Sequence, residues 1–122
     1  MEYEPKSENE FKKQLSYLYH RVNKEIYGYG ADALRVHYVD NLIVFRTKDK
    51  RVRILQILEQ EHRELKASVD RALFDLFNAR LKEGLETEAG LKAEAVFRDY
   101  DAASQTAVTV VSLAKPVSNF II

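Results

Sequence analysis

The run from Lys50 to Leu85 constrains the fold most, because it contains no proline and no glycine before Gly84. At about 100° per residue, its apolar side chains fall into two nearly opposite sectors of a helix. Such a helix packs on two sides, so we expect one sector to meet a sheet and the other to meet a second helix or a second copy of the chain. The first sector contains Leu65, Val69, Ala72, Leu73 and Leu76, and the second contains Phe74, Phe77, Leu81 and Leu85.

A single straight helix over this run would be about 54 Å long, which exceeds the body of a domain of this size. We therefore expect a break between Glu59 and Arg63, although neither glycine nor proline marks it. The sequence favours a helix at the start of the run, Lys50–Leu58, where the side chains also alternate as they would in a strand.

The first helix is predicted from about Glu8 to Ile26. Ser7 and Glu10 have the spacing of a capping box, in which each side chain satisfies a free amide of the first turn. Gly28 and Gly30 then end the helix, because glycine adopts the left-handed conformations that close a helix. Its predicted apolar stripe is Phe11, Leu15, Leu18, Val22 and Ile26.

Asp40-Asn41 separates two alternating runs, Ala33–Val39 and Leu42–Thr47, and indicates a two-residue hairpin. This turn places Val39 opposite Leu42 and so fixes the register of the pair. The predicted core face carries Val36, Tyr38, Ile43 and Phe45, and the opposite, wet face carries Arg35, His37, Val44 and Arg46.

A second hairpin is predicted near the C-terminus. Its second strand is Ala107–Leu113, and Asp99–Ser104 forms the turn. In its first strand, Leu91, Ala93, Ala95 and Phe97 alternate with a wet face formed by Lys92, Glu94, Val96 and Arg98.

These elements predict an α+β domain of two layers, in the order α-β-β-α(α)-β-β. The simplest architecture is a four-stranded antiparallel sheet with helices on one face. We expect a flexible arm at residues 1–6, a single domain at 7–115 and an apolar tail at 116–122. The tail either folds back on the core, which we favour, or docks on a partner. Its apolar residues are Phe120, Ile121 and Ile122.

The composition of the chain excludes or disfavours several classes of function. Nineteen acidic residues balance nineteen basic ones, which disfavours a nucleic-acid partner. The absence of cysteine excludes disulfides and thiol chemistry. No apolar run approaches the about 20 residues that span a bilayer, and the acidic N-terminus does not resemble a signal peptide, so we expect a cytoplasmic protein.

No catalytic, metal or cofactor motif is present. The three histidines, His20, His37 and His62, lie in different elements without ligand spacing. Gly28-x-Gly30 follows a helix, whereas a phosphate-binding loop lies between a strand and a helix. Enzymatic activity is therefore left open and disfavoured, and we expect neither cofactor nor metal.

The hairpin register places Arg35 opposite Arg46, and like charges in this position disfavour pairing. The favoured interpretation is that Glu94 on the wet face neutralises them. The alternative is that Arg35, His37 and Arg46 bind an anion or an acidic partner segment. For the second helical sector we predict a homodimer interface around Phe74, Phe77 and Leu81.

The chain also resembles the MpsC-like family of small bacterial proteins. The matching features are Tyr27-Gly28-Tyr29-Gly30-Ala31, the strand-turn-strand Leu34–Phe45, the helical run Arg71–Leu85 and the hairpin Leu91–Leu113. The family is named for the third component of a Na+-translocating system that generates membrane potential. The resemblance implies a cytosolic accessory to membrane ion or bicarbonate uptake, held at the inner face of the membrane by a transporter subunit, and it implies no active-site residues.

Overall fold

The computed structural model describes residues 4–49 and 53–122 and confirms the α+β architecture. The elements are α1 (Glu8–Tyr27), β1 (Asp32–Val39), β2 (Leu42–Lys48), α2 (Arg53–Glu61), α3 (Arg63–Glu88), β3 (Ala93–Asp101) and β4 (Thr106–Leu113), followed by a 3₁₀ turn (Val117–Phe120).

The four strands form one antiparallel sheet in the order β1-β2-β4-β3, so β1 and β3 are its edges. Helices α1 and α3 cover one face of the sheet, where Ile43, Phe45 and Val111 are fully buried. The residues between them in sequence, such as Val44 and Val110, point to the opposite face, which no helix of the described chain covers. We call this second side the outer face.

Helix α1 begins and ends as its sequence predicts. Ser7 Oγ accepts a hydrogen bond of 3.2 Å from the Glu10 amide. Gly28 has a φ of 86° and its amide bonds to the Lys24 carbonyl, which closes the helix in a conformation that other residues adopt at a cost. The buried side chains of α1 include Phe11, Leu15, Leu18, Tyr19 and Val22.

The predicted break in the long helical run is confirmed. Helix α2 ends at Glu61, α3 begins at Arg63, and His62 between them has non-helical angles of φ −145° and ψ 69°. The predicted beginning of the run, residues 50–52, lies outside the described residues. Across the break, Lys66 Nζ contacts Glu59 at 2.7 Å and Asp70 at 2.8 Å, which ties α2 to α3.

The first hairpin has the predicted register. Val39 pairs with Leu42, and Arg35 pairs with Arg46. Val36, Tyr38, Ile43 and Phe45 all point toward the helices, as the alternation of burial along the two strands shows.

The predicted faces of β3 are wrong beyond Ala93, because a β-bulge lies there. Ala93 pairs with Leu113 but Ala95 pairs with Ser112, so Glu94 is an extra residue. One inserted residue exchanges the two faces of everything that follows it. Phe97 is therefore 62% exposed on the outer face, and Arg98 lies among the buried side chains beneath the helices.

The C-terminal tail folds back, as favoured above. Phe120 is buried, and its carbonyl accepts a 3.1 Å hydrogen bond from the Lys6 amide. The Lys6 carbonyl in turn accepts a 2.9 Å bond from Ile122, so Lys6 is paired with the tail and the prediction of a loose arm is wrong at this residue. Residues 1–3 of the predicted arm lie outside the described residues.

Candidate functional site

The predicted basic cluster exists on the outer face, with one change in its members. Arg35 and Arg46 line a cavity of about 230 Å³ whose third cation is Lys48, a residue that the sequence analysis did not select. His37 lies on the same face, opposite Val44, outside that cavity. The lining residues are Ala33, Arg35, Arg46, Thr47, Lys48 and Thr106.

Glu94 does not neutralise these cations. It lies at the bulge beside Leu113, whereas Arg46 pairs with Val108 near the other end of β4. Within residues 4–49 and 53–122, neither Arg35 nor Arg46 forms an ion pair with a carboxylate. Lys48 Nζ donates to the Ser104 carbonyl at 3.0 Å and to Thr106 Oγ1 at 3.2 Å, both of which are uncharged.

Two of the three residues of the predicted helical interface, Phe77 and Leu81, are buried within the chain and offer no surface to a second copy. Phe77 and Leu81 are 0% exposed because this sector of α3 faces the sheet and α1, and Phe74 is partly buried above Arg98. The opposite sector is the exposed one, with Leu65 53% and Leu76 42% accessible. Of the predicted tail residues, Phe120 is buried and Ile121 is partly buried, while Ile122 is 90% exposed.

The larger concave feature is a groove of about 500 Å³ between α3 and the edge strand β3, which we call the α3–β3 groove. The residues of α3 that line the groove recur at intervals of three and four, because they lie on one face of the helix. The lining residues are Lys66, Ala67, Asp70, Arg71, Phe74, Asp75 and Asn78 from α3, and Val96, Phe97, Arg98, Asp99 and Tyr100 from β3.

Arg98 forms the floor of this groove, and its side chain is 1% exposed. Its Nη1 atom donates to Tyr19 Oη at 2.5 Å and to Thr109 Oγ1 at 3.0 Å. Its Nη2 atom lies 3.8 Å from Asp49 Oδ2, which is a long ion pair. The guanidinium also lies over four aromatic rings, which attract a cation through their faces. These rings belong to Tyr19, Tyr27, Phe74 and Phe77, at 5.9, 5.8, 5.6 and 4.1 Å from Arg98 Cζ.

Two polar atoms of the groove lining are buried without a hydrogen-bond partner in the described chain: Arg98 Nε, a donor, and Asn78 Oδ1, an acceptor. The other side of the Asn78 amide is engaged, since Nδ2 donates to the Val96 carbonyl at 3.3 Å. A buried polar atom without a partner costs about 1–3 kcal/mol, so a partner group that reached either atom would gain a hydrogen bond that the described chain does not supply.

The backbone of β3 also contributes hydrogen-bonding groups to the groove. The Val96 carbonyl bonds to Asn78 on α3, so it points away from β4 and into the groove. Backbone groups alternate along an antiparallel strand, and the amide and carbonyl of Arg98 therefore point the same way. The Tyr100 amide also lies on this side, where it donates to Asp99 Oδ1 at 2.8 Å. An edge strand with such groups is a template for a further strand.

At one end of the groove, two ion pairs hold the Lys66 side chain in place. Lys66 is held between Asp70 and Glu59, and the hydrogen bond to Asp70, followed by that to Glu59, raises the pKa of Lys66 above its usual value. The lysine therefore stays protonated at neutral pH, and its ammonium is already satisfied by two carboxylates.

Sequence reasoning missed this groove because the bulge at Glu94 exchanges the faces of β3. If the side chains of β3 alternated strictly between the two faces of the sheet, Arg98 would be exposed and Phe97 buried. The structure shows the reverse. No glycine marks the bulge, and the sequence therefore carries no signal that would have found it.

The histidines serve separate local roles. His20 Nδ1 accepts a 3.1 Å hydrogen bond from the Ala31 amide, which fixes the turn after α1, whereas His62 occupies the helix break. Among residues 4–49 and 53–122, no group of three or more histidine or acidic side chains could hold a metal ion. None of the helices in the same ranges is long and apolar enough to span a membrane.

Comparison of the chain with family models, with curated proteins and with solved structures found no match in any of the three.

Proposed function

We propose that the protein is a non-catalytic interaction protein that binds an extended segment of a partner in the α3–β3 groove. The observation that carries the proposal is that β3 is an edge strand and borders a groove whose lining includes Asn78 and Arg98, each with a buried polar atom that has no hydrogen-bond partner in the described chain. Strand addition of this kind uses main-chain hydrogen bonds for affinity and side-chain pockets for specificity.

The groove complements a peptide backbone. A peptide carries both amides and carbonyls, which match the acceptor of Asn78 and the donor of Arg98. Phe74 and Val96 give the walls an apolar part, so a partner segment with apolar residues at alternate positions fits best.

The resemblance to MpsC-like proteins suggests the partner class. On this proposal the protein is a cytoplasmic accessory, and the bound segment belongs to a membrane subunit of ion or inorganic-carbon uptake. The protein then reaches the inner face of the membrane through this partner and needs no span of its own.

The test uses two alanines on α3 that are both exposed. Ala67 lines the groove, whereas Ala79 does not. We expect Ala67→Trp to fill the groove and abolish capture of the partner from bacterial membrane extracts, and Ala79→Trp to capture it as the native protein does. Hydrogen exchange on the captured complex should show new protection at the Val96 and Arg98 amides. Capture by Ala67→Trp, or a complex without that protection, would refute the proposal.

The basic cavity supports a second candidate, an anion-binding regulatory protein. Arg35, Arg46 and Lys48 bring three positive charges around about 230 Å³ without an ion pair to either arginine in the described chain. We expect bicarbonate or phosphate to shift the NMR signals of this corner of the sheet. Arg35→Ala with Arg46→Ala should remove the shifts and leave the fold intact; unchanged shifts would eliminate the candidate.

A further inference from the structure

We infer that the outer face of the sheet binds a second copy of this chain, with the strands of the two copies aligned about a two-fold axis. This inference does not require that a partner segment binds in the groove, although Phe97 and Asp99 also line the groove and Arg35 also lines the basic cavity. It starts from the side chains that the register brings together. Across β1, β2, β4 and β3, three successive rows are Val39, Leu42, Ser112 and Ala95; His37, Val44, Val110 and Phe97; and Arg35, Arg46, Val108 and Asp99.

The first two rows make the centre of this face largely apolar. Val39 is 66% and Phe97 is 62% exposed, at opposite edges of the sheet. Val44 and Val110 lie between them and remain partly accessible. Aromatic and aliphatic side chains that stay in contact with water on a continuous sheet face are typical of an interaction surface.

The charges in the third row decide which partner fits. Arg35 and Arg46 lie on β1 and β2, and Asp99 lies on β3 at the other edge of the same row. A two-fold axis parallel to the strands, running between β2 and β4, sets β1 of one copy over β3 of the other. Arg35 of each copy then faces Asp99 of the second copy, and Val44 faces Val110. The face is therefore complementary to itself in charge and in its apolar centre.

The other simple two-fold arrangement does not have this property. An axis perpendicular to the strands sets β1 over β1, so the arginines never reach β3 of the second copy. A fourth row consists of Asp32, Lys48, Thr106 and Asp101. With the parallel axis, Asp32 faces Asp101 of the second copy, with Lys48 beside them, so this row adds no net attraction. The attraction between Arg35 and Asp99 of the second copy therefore favours the axis parallel to the strands.

The size of the face sets the expected strength. Four strands spaced by about 4.8 Å and eight residues rising about 3.3 Å each give a footprint of about 500 Å². Stable complexes bury about 800 Å² on each partner, so we expect a reversible dimer that forms at high concentration and dissociates on dilution.

The test is charge exchange followed by sedimentation equilibrium across a concentration series. Arg35→Glu and Asp99→Arg should each weaken the dimer at least tenfold, because each sets like charges against each other in both halves of the interface. An equimolar mixture of the two variants should dimerise again, since every 35–99 contact between them is then attractive. Arg35 lies at the edge of the sheet away from β3, so its variant leaves the α3–β3 groove intact.

Two further variants complete the design. Val110→Lys places a charge at the centre of the face and should give monomers, whereas Lys13→Glu on the exposed side of α1 should dimerise as the native chain does. A native chain that stays monomeric at millimolar concentration would overturn the inference. A dimer that the Arg35 and Asp99 variants do not weaken, or that their mixture does not restore, would place the contact on another surface and would also overturn it.

Discussion

The guanidinium carbon of Arg98 lies 4.1 Å from the centroid of the Phe77 ring, inside the layer between the sheet and the helices. Tyr19 joins the two residues, because its hydroxyl accepts a hydrogen bond from Arg98 and its ring meets Phe77 edge-on at 5.1 Å. A charge at this depth persists only where hydrogen bonds, an ion pair and aromatic faces replace water. From β3, Arg98 therefore contacts α1, α3 and β4 beneath the groove, through hydrogen bonds to Tyr19 and Thr109 and through the ring of Phe77.

We expect Arg98→Ala to lower the free energy of unfolding by about 3–5 kcal/mol, because it removes one partner of a buried ion pair and leaves a cavity. Arg98→Met preserves most of the volume and should cost less, although Tyr19 and Thr109 still lose a hydrogen bond. Urea unfolding measures both values. Arg71→Ala on the exposed side of α3 is the control and should change stability by less than about 0.5 kcal/mol. Native stability in both Arg98 variants would contradict this role.

Deletion of Glu94 tests the bulge. Without the extra residue, either the strand after it exchanges its two faces or Leu91 and Ala93 are pulled out of the core, where they are 1% and 2% exposed. We expect a loss of about 3 kcal/mol or more, comparable to emptying a buried leucine site. Glu94→Ala keeps the residue count and should cost less than about 1 kcal/mol. Thermal unfolding followed by circular dichroism compares the two, and equal stability of both variants would show that the bulge does not fix the faces of β3.

The contact between Arg21 and Glu88 predicts a pH dependence. Arg21 Nη1 donates to Glu88 Oε1 at 2.6 Å, and this hydrogen bond holds the pKa of Glu88 below its usual range. A depressed pKa in the folded state gives stability that is present above the unfolded pKa of about 4.3 and is lost as the pH falls through the folded pKa. The stability difference between the native chain and Glu88→Gln should therefore shrink as the pH is lowered from 6 to 3, as measured by urea unfolding. Glu86→Gln, at an exposed residue of the same helix, is the matched control.

The sequence by itself determined the elements and most of their boundaries. The apolar stripe and the cap at Ser7 specify α1, and the turn at Asp40-Asn41 fixes the register of β1 and β2. The length of the run after Lys50 predicts a break between Glu59 and Arg63, and the structure places it at His62. The pairing of Arg35 with Arg46, and hence the basic cluster, follows from that register. These features depend on local periodicity and turn chemistry, which short stretches of sequence carry completely.

Only the tertiary structure decided which faces are covered. The two apolar sectors of α3 look alike in sequence, yet Phe77 is buried and Leu76 is exposed, because the choice depends on where α1 and the sheet lie. The bulge at Glu94 turns Arg98 inward, into the lining of the groove, and Phe97 outward, where it joins the apolar outer face. A bulge is stabilised by the packing of the side chains that it redirects, and these contacts join residues far apart in the chain. For that reason periodicity located the strand correctly and assigned its faces incorrectly.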